Sequence, residues 1–210
     1  MKKNNLTTKE TFTLALQHHK KNNFQAAEQL YKQILEIEPD HIESIFYLGS
    51  LSIQIRNFDR AKQLFNKTIQ IDPNHAQAYN NLGAIAFQKL KKNQEAISYY
   101  EKAIQINPNF AQAYNNLGVV FQELKKNQEA VSCYEKSIQI NPSNSDAYWN
   151  LHSFALDVDE ALTILKKLYE FDNKYIKAKI MISALKGFKG KFEDFDTLIR
   201  SSESNHPMTR

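Results

Sequence analysis

The sequence predicts an all-α fold of antiparallel helix hairpins that repeat about every 34 residues. Four prolines recur at intervals of 34, 35 and 34 residues, and each closes a similar apolar phrase such as TIQIDP or AIQINP. A small residue and, further along, an alanine recur with the same period. Only 5 Gly and 5 Pro occur among 210 residues, whereas good helix formers are abundant, which favours helix over a turn-rich β fold. The four prolines are Pro39, Pro73, Pro108 and Pro142.

Each recurring residue has a steric role in a helix hairpin. A small residue in the first helix and an alanine in the second let the two helices approach closely. We expect large neighbours, such as Leu48 and Phe65, to fill the space to the next hairpin. Proline disfavours helix for the residue before it and so ends the second helix. The small residues are Ala15, Gly49, Gly83 and Gly118, and the alanines are Ala27, Ala61, Ala96 and Ala130.

Polar residues near the expected helix starts predict N-caps. A side-chain oxygen there accepts a hydrogen bond from a backbone N–H of the first turn. Asp40 and Glu43 also have the spacing of a capping box. The residues expected to cap first helices are Asp40, Asn74, Asn109 and Ser143 or Ser145, and those expected to cap second helices are Asn93 and Asn127.

The period, the Leu-Gly pair, the paired small residues, the aromatic residue and the closing proline together resemble the tetratricopeptide repeat family. This resemblance implies a right-handed superhelical solenoid, in which first helices line a concave side where extended peptides usually bind. We expect the solenoid over 8–172, in units of about 8–41, 42–75, 76–110, 111–144 and 145–172. Outside it we expect a flexible N-terminus at 1–7, a degenerate capping hairpin at 173–200 and a disordered tail at 201–210.

Two units depart from the regular pattern. In the fifth, His152 replaces the glycine and no proline closes the unit, so we expect a clipped turn after a first helix that ends near Leu156. In the third, Gly83 and Ala96 are 13 residues apart, whereas the matching pairs of other regular units are 12 apart. We place the extra residue within 84–87, either as a π-bulge, which often marks a functional site, or as a change without consequence.

Composition and motifs argue against catalysis, metal binding and nucleic-acid binding. The formal net charge is only +4, with acidic residues interspersed. There is no Gly-rich phosphate loop, and the adjacent His18 and His19 point about 100° apart on a helix. We therefore predict no enzyme activity, cofactor, metal or nucleic-acid partner. Apolar runs fall short of the roughly 20 residues of a membrane span. The lone Cys133 and the absence of an apolar signal predict a cytoplasmic protein.

The residue before the recurring Leu of each first helix is expected to face the groove. Three consecutive units place asparagine there, and its amide can donate to and accept from a peptide backbone. One residue earlier, aromatic residues at both ends flank further asparagines and suggest apolar anchors. Alternatively, these amides bond to neighbouring helices within the stack. The expected groove residues are Thr13, Tyr47, Asn81, Asn116 and Asn150, preceded by Phe12, Phe46, Asn80, Asn115 and Trp149.

These features predict a protein-interaction scaffold that binds an extended peptide segment of a partner. A second hypothesis is the substrate-recruiting module of a glycosyl- or methyltransferase whose catalytic part is separate or missing. The asparagine row resembles the repeat region of O-linked N-acetylglucosamine transferase, and 190–207 resembles the segment that joins repeats to a catalytic domain in such proteins. A third hypothesis is a structural protein that self-associates through its repeat ends. The paired basic residues with which some family members bind a chain-terminal acidic peptide are not evident.

Overall fold

A computed structural model describes residues 6–89, 91–156, 158–172 and 174–188. Within these residues the fold is all-α, as predicted, with eleven α-helices, one short 3-10 helix and no strand. The 3-10 helix spans His152–Phe154. The α-helices are α1 Thr8–Lys20, α2 Phe24–Ile37, α3 Ile42–Gln54, α4 Phe58–Ile71, α5 Ala76–Gln88, α6 Asn93–Ile106, α7 Ala111–Glu123, α8 Asn127–Ile140, α9 Ser145–Leu151, α10 Val158–Phe171 and α11 Ile176–Phe188.

The chain forms two compact units, unit 1 over residues 1–108 and unit 2 over residues 109–210. In unit 1, helices α1 and α2, α3 and α4, and α5 and α6 form three hairpins, joined by contacts of α2 with α3 and of α4 with α5. In unit 2, α7 pairs with α8 and α9 with α10, while α8 packs on α9 and α10 on α11. Each unit is therefore a stack of helix hairpins, in which neighbouring hairpins cover apolar faces of one another.

In each regular hairpin with a glycine, that glycine lies against an aromatic ring of the second helix. A Cβ added to any of the three glycines would come within 2.7 Å of a ring carbon. All three rings are buried. Close approach at the small residues is thus confirmed, but the ring also fills space inside its own hairpin, not only the space to the next one. The pairs are Gly49 with Phe65, Gly83 with Tyr100, and Gly118 with Tyr134.

The first helices α3 and α5 begin one residue later than the capping prediction implied. His41 and His75 are the N-caps, and Nδ1 of each accepts a hydrogen bond of 3.2 Å from the backbone N–H three residues on. The proline and the residue after it form a turn, which leaves Asp40 and Asn74 outside the helix. The expected capping box is therefore wrong, and Asp40 Oδ1 instead lies 3.1 Å from Lys67 Nζ.

The other expected caps are also one residue away from the observed ones, and those of the second helices are displaced in the opposite direction. Asn93 and Asn127 are the first residues of their helices, so their side chains sit one position too late to cap. Asn23 and Asn57, which do precede their helices, accept from a backbone N–H of the first turn. The N-caps observed at the remaining predicted positions are Lys92 for α6, Phe110 for α7, Lys126 for α8 and Asn144 for α9.

The extra residue of the third unit lies in the turn between α5 and α6. Helix α5 is α-helical throughout and has 13 residues, like α3 and α7. The Lys92 N–H bonds to the carbonyl of Ala86, six residues back, whereas the corresponding bond from Asn57 reaches Ser52, five residues back. Placing the residue within 84–87 was wrong, and so was the π-bulge, because a turn absorbs an insertion without breaking helical hydrogen bonds.

The first helix of the fifth hairpin is shorter than those of the regular hairpins. Helix α9 has only 7 residues and passes into the 3-10 helix at His152, so it ends earlier than the predicted position near Leu156. Helix α11 occupies the first half of the expected capping hairpin. The second half of that hairpin, the expected tail and residues 1–5 of the expected flexible N-terminus lie outside the described residues.

Replacing Ser44 by alanine is expected to raise the free energy of unfolding by about 1–2 kcal/mol. Ser44 is fully buried in α3, its Oγ has no hydrogen-bond partner, and the matching positions are the fully buried Ala78, Ala113 and Ala147. Ser52→Ala is the matched control, because Ser52 is equally buried but its Oγ donates to the Leu48 carbonyl at 2.7 Å. Urea denaturation followed by circular dichroism measures both variants. Equal destabilisation by the two substitutions would contradict the view that the Ser44 hydroxyl is buried without a hydrogen-bond partner.

Candidate peptide-binding face of the first helices

The residues that precede the recurring Leu stay accessible to solvent. We name these positions the outer row. Helix α1 presents Thr13, which is exposed, while the other four members are partly exposed. The outer row keeps this accessibility in both units, although the recurring Leu that follows it in the four regular hairpins is mostly covered. Its members are Thr13, Tyr47 and Asn81 in unit 1 and Asn116 and Asn150 in unit 2.

The residues one position earlier, which we name the inner row, lie deeper. Phe46, Asn80 and Asn115 are buried, with 9%, 8% and 4% of their surfaces exposed. Phe12 and Trp149 are partly exposed. Neighbouring helical residues point about 100° apart, which explains why one row faces solvent and the other faces the stack. The sequence did not distinguish these two depths, because asparagine occupies both rows.

Aromatic residues of the inner row pack on the histidine caps of the following first helix. In unit 1 the ring centroids of Phe12 and His41 are 5.4 Å apart, and those of Phe46 and His75 are 4.6 Å apart. Phe46 also packs with the buried Phe65 at 5.6 Å. These contacts hold successive first helices side by side, so Phe46 is part of the core of unit 1.

In unit 2, amides of the two rows bond across successive first helices. Asn150 Nδ2 on α9 donates to Asn115 Oδ1 on α7 at 3.0 Å. Asn116 Oδ1 accepts from Gln112 Nε2, one turn earlier on α7, also at 3.0 Å. The buried Asn115 therefore fixes the orientation of the Asn150 amide. Asn150 therefore makes a hydrogen bond within the stack and is also partly exposed to solvent.

Trp149 lies in an aromatic cluster with His152 and with Tyr175, the residue before α11. Its ring centroid is 5.8 Å from that of Tyr175 and 4.4 Å from that of His152. Lys177 Nζ lies over the indole at 6.0 Å, and His152 Nδ1 bonds to the carbonyl of Trp149. The replacement of glycine by His152 thus serves to pack the indole.

A buried histidine beneath the outer row of unit 1 was missed by the sequence reasoning. His19 is 9% exposed, and its Nδ1 lies 3.3 Å from the Tyr31 hydroxyl. Burial lowers the pKa of His19, which keeps the imidazole neutral, although a hydrogen bond with Gln54 acts in the opposite direction. Burial raises the pKa of Tyr31 well above its ordinary value. The Tyr31 and Tyr47 rings are stacked, with centroids 6.1 Å apart.

The same pairing occurs in unit 2, where the Tyr134 hydroxyl donates to Gln122 Oε1 at 2.6 Å. In both hairpins the polar residue stands twelve residues before the tyrosine. The second hairpin has Ile53 and Phe65 at these positions, and neither needs a polar partner. The third hairpin has Phe87 and Tyr100 at the matching positions, so the repeat pattern alone does not identify His19.

The described residues contain no group of three His, Cys, Asp or Glu side chains that could hold a metal ion. None of the helices in the described ranges is long and apolar enough to cross a membrane.

Comparison with known proteins identifies the repeat. Models described as tetratricopeptide repeat match residues 18–85 and 74–143, which together span 18–143. No curated protein matches the chain. A crystal structure of MamA is 30% identical, with a TM-score of 0.63, over 78% of this chain and 96% of that one.

More distant structures share the fold. Pseudomonas aeruginosa pilF is 17% identical with a TM-score of 0.81, over 96% of this chain and 93% of that one. YrrB, described as a TPR protein with an unusual peptide-binding site, is 19% identical with a TM-score of 0.59, over 82% of this chain and 90% of that one. The tetratricopeptide fold is generally a non-catalytic module for protein interaction. With its repeated hairpins, matching family models and 30% identity to MamA, the chain belongs to the tetratricopeptide repeat family.

Proposed function

We propose that the protein is an interaction scaffold and that the outer row of each unit binds an extended segment of a partner protein. The observation that supports this most is the constant accessibility of the outer row, next to an inner row that is mostly buried. A row that served only the packing of the stack would be covered along with its neighbours. In unit 1 the proposed binding residues are Tyr47 and Asn81, and in unit 2 they are Asn116 and Asn150.

Amides suit an extended chain because every peptide group offers one donor and one acceptor. An asparagine side chain can pair with both, so it recognises the backbone whatever side chains the segment carries. Asn115, bonded to Asn150 from the buried row, holds one of these amides in place before binding. Such preorganisation reduces the entropy lost on association. Phe12 and Trp149, both partly exposed, would supply apolar contact beside the amides.

Asn81→Ala is expected to weaken peptide binding roughly 5–30-fold, which corresponds to the loss of about 1–2 kcal/mol of hydrogen bonding. Peptides enriched from a random phage library on the immobilised full chain serve as probes. Calorimetry gives the Kd of the wild-type chain and of each variant. Circular dichroism should find the melting temperature of Asn81→Ala within about 2 °C of wild type, since surface substitutions change stability little. Asn116→Ala provides the same test in unit 2.

Gln63→Ala and Gln128→Ala are the matched controls, because each removes an exposed amide from a second helix. Both controls should bind the peptide as the wild-type chain does. The proposal fails if the Asn81 and Asn116 variants keep full affinity. It also fails if they melt much lower than the controls, because the amides would then serve the stack.

A further inference from the structure

Basic side chains gather at the three turns that join the two helices of each hairpin in unit 1. All of them are exposed. Because successive hairpins of a stack run in the same direction, these turns lie along one edge of the unit. Neighbouring turns are close, since Lys89 Nζ lies 4.4 Å from the centroid of the Phe58 ring at the start of α4. We name this surface the basic edge, and its members are Lys20 and Lys21 at the first turn, Arg56 at the second, and Lys89, Lys91 and Lys92 at the third.

The carboxylates near the basic edge are matched by basic residues of the second helices. Glu28 Oε1 lies 2.8 Å from Arg60 Nη1, and Glu95 Oε1 lies 3.3 Å from Lys62 Nζ. Asp59, in the first turn of α4, adds one further negative charge at this end of the hairpins. The basic edge therefore carries a clear excess of positive charge.

The opposite end of the same hairpins, where one hairpin is joined to the next, is rich in acidic residues. The basic Lys67 at this end lies 3.1 Å from Asp40 Oδ1. Unit 1 therefore has a positive edge and a negative edge, an arrangement that turns the positive edge toward a negatively charged surface. The acidic residues at this end include Glu36, Glu38, Asp40, Glu43 and Asp72.

Two members of the basic edge have a backbone conformation that does not favour a basic residue. Arg56 has a φ of 62° and Lys91 a φ of 53°, in the left-handed region that glycine and asparagine adopt most readily. The first turn has Asn22 in this conformation, at a φ of 58°. Glycine would form the other two turns with less strain, so the fold of the turn does not account for arginine and lysine there.

Large aliphatic side chains are exposed beside the basic ones. Ile55 precedes Arg56 in the second turn and is exposed. Unit 2 has the same combination in its first hairpin, where the exposed Leu124 precedes Lys125 and Lys126. An apolar side chain among cationic ones suits the boundary between the headgroups and the acyl chains of a membrane. The phosphates of a nucleic acid would use only the cationic groups.

We propose that the basic edge of unit 1 binds the surface of a membrane that contains anionic lipids. The basic side chains attract the negatively charged headgroups, and Ile55 enters the headgroup region beside them. The turn formed by Leu124, Lys125 and Lys126 offers the same chemistry in unit 2. Because the basic edge lies on the turns and the outer row lies on the first helices, this inference does not depend on the proposed function.

Flotation of the full chain with lipid vesicles tests the proposal. Vesicles of phosphatidylcholine with about a quarter phosphatidylserine should bind the chain, whereas vesicles of phosphatidylcholine alone should bind it much less. The double variant Arg56→Gly, Lys91→Gly should bind the anionic vesicles about 25-fold more weakly, which is about fivefold for each charge removed. Since glycine suits the backbone of both turns, circular dichroism should find its melting temperature close to that of the wild-type chain.

The double variant Lys9→Gln, Lys32→Gln is the matched control, because it removes two exposed lysine charges that lie away from the basic edge. Its affinity for the anionic vesicles should stay within about twofold of wild type, since distant charges are screened by salt. Ile55→Ser should weaken vesicle binding about fivefold through the loss of apolar burial. The same variant should bind heparin, a polyanion without acyl chains, as the wild-type chain does.

The inference is overturned if the chain does not bind anionic vesicles, or if it binds them no better than neutral ones. Equal losses in the basic-edge variant and in the control would also overturn it, because the overall charge of the chain would then be responsible. If Ile55→Ser binds vesicles as tightly as the wild-type chain, the basic edge acts through charge alone, as it would toward a nucleic acid, and the assignment to a membrane is wrong.

Discussion

Phe65→Ala is expected to lower the free energy of unfolding by about 3–5 kcal/mol, as for a buried aromatic ring reduced to a methyl group. The Phe65 ring is fully buried, lies against Gly49 and packs with Ala78 and Leu82 of the next hairpin. The substitution therefore opens a cavity inside one hairpin and also at its contact with the next. Urea denaturation monitored by circular dichroism measures the loss. Ile37→Ala is the control, since Ile37 is 73% exposed and should change stability by less than about 0.5 kcal/mol.

A double-mutant cycle with Gly49→Ala tests the reason for that loss. Alone, Gly49→Ala brings a methyl group to 2.7 Å from the Phe65 ring, and overpacking of this kind costs about 1–3 kcal/mol. In Phe65→Ala the same methyl group enters vacated space. The double variant should therefore be more stable than the sum of the two single losses predicts. Additive losses would mean that the glycine is not required by the ring.

Leu168→Ala is expected to cost about 2–5 kcal/mol in unit 2. Leu168 is fully buried in α10, in a cluster that includes Tyr148, Leu165 and Ala178. This cluster joins the shortened fifth hairpin to α11, so amide hydrogen exchange in α11 should accelerate along with the loss of stability. Leu156→Ala is the control, because Leu156 is 93% exposed and should be neutral. Unchanged exchange in α11 would show that α11 does not depend on this cluster.

Most of the fold follows from the sequence because its strongest constraints recur. In the four regular hairpins, a small residue in the first helix, a large ring in the second and a proline after it restrict the backbone in the same way, so the repeat predicts their number and pairing. Helix ends are less constrained. Asp40 and His41 can both cap a helix, and the turn made by Pro39 and Asp40 decides between them. Similarly, only the structure shows that the extra residue of the third unit lies in the turn between α5 and α6, because α5 has the same length as α3 and α7.

The sequence predicts which residues belong to the candidate site, but not which of them are buried. Asn80 and Asn81 are equally polar, and only the rotation of α5 buries the first and leaves the second partly exposed. The Asn115–Asn150 bond joins residues 35 positions apart on different helices, so it depends on how those helices are set beside each other. His19 acquires its role in the same way, through the Tyr31 hydroxyl of the neighbouring helix.

The central claim is that the outer row contacts the bound segment, and nuclear magnetic resonance of side-chain amides tests it most directly. During titration of the ¹⁵N-labelled full chain with an enriched peptide, the NH₂ signals of Asn81 and Asn116 should shift with the Kd found by calorimetry. Those of Gln63 and Gln128, on second helices, should stay in place. Shifts confined to the two glutamines, with the asparagine signals unchanged, would contradict the account.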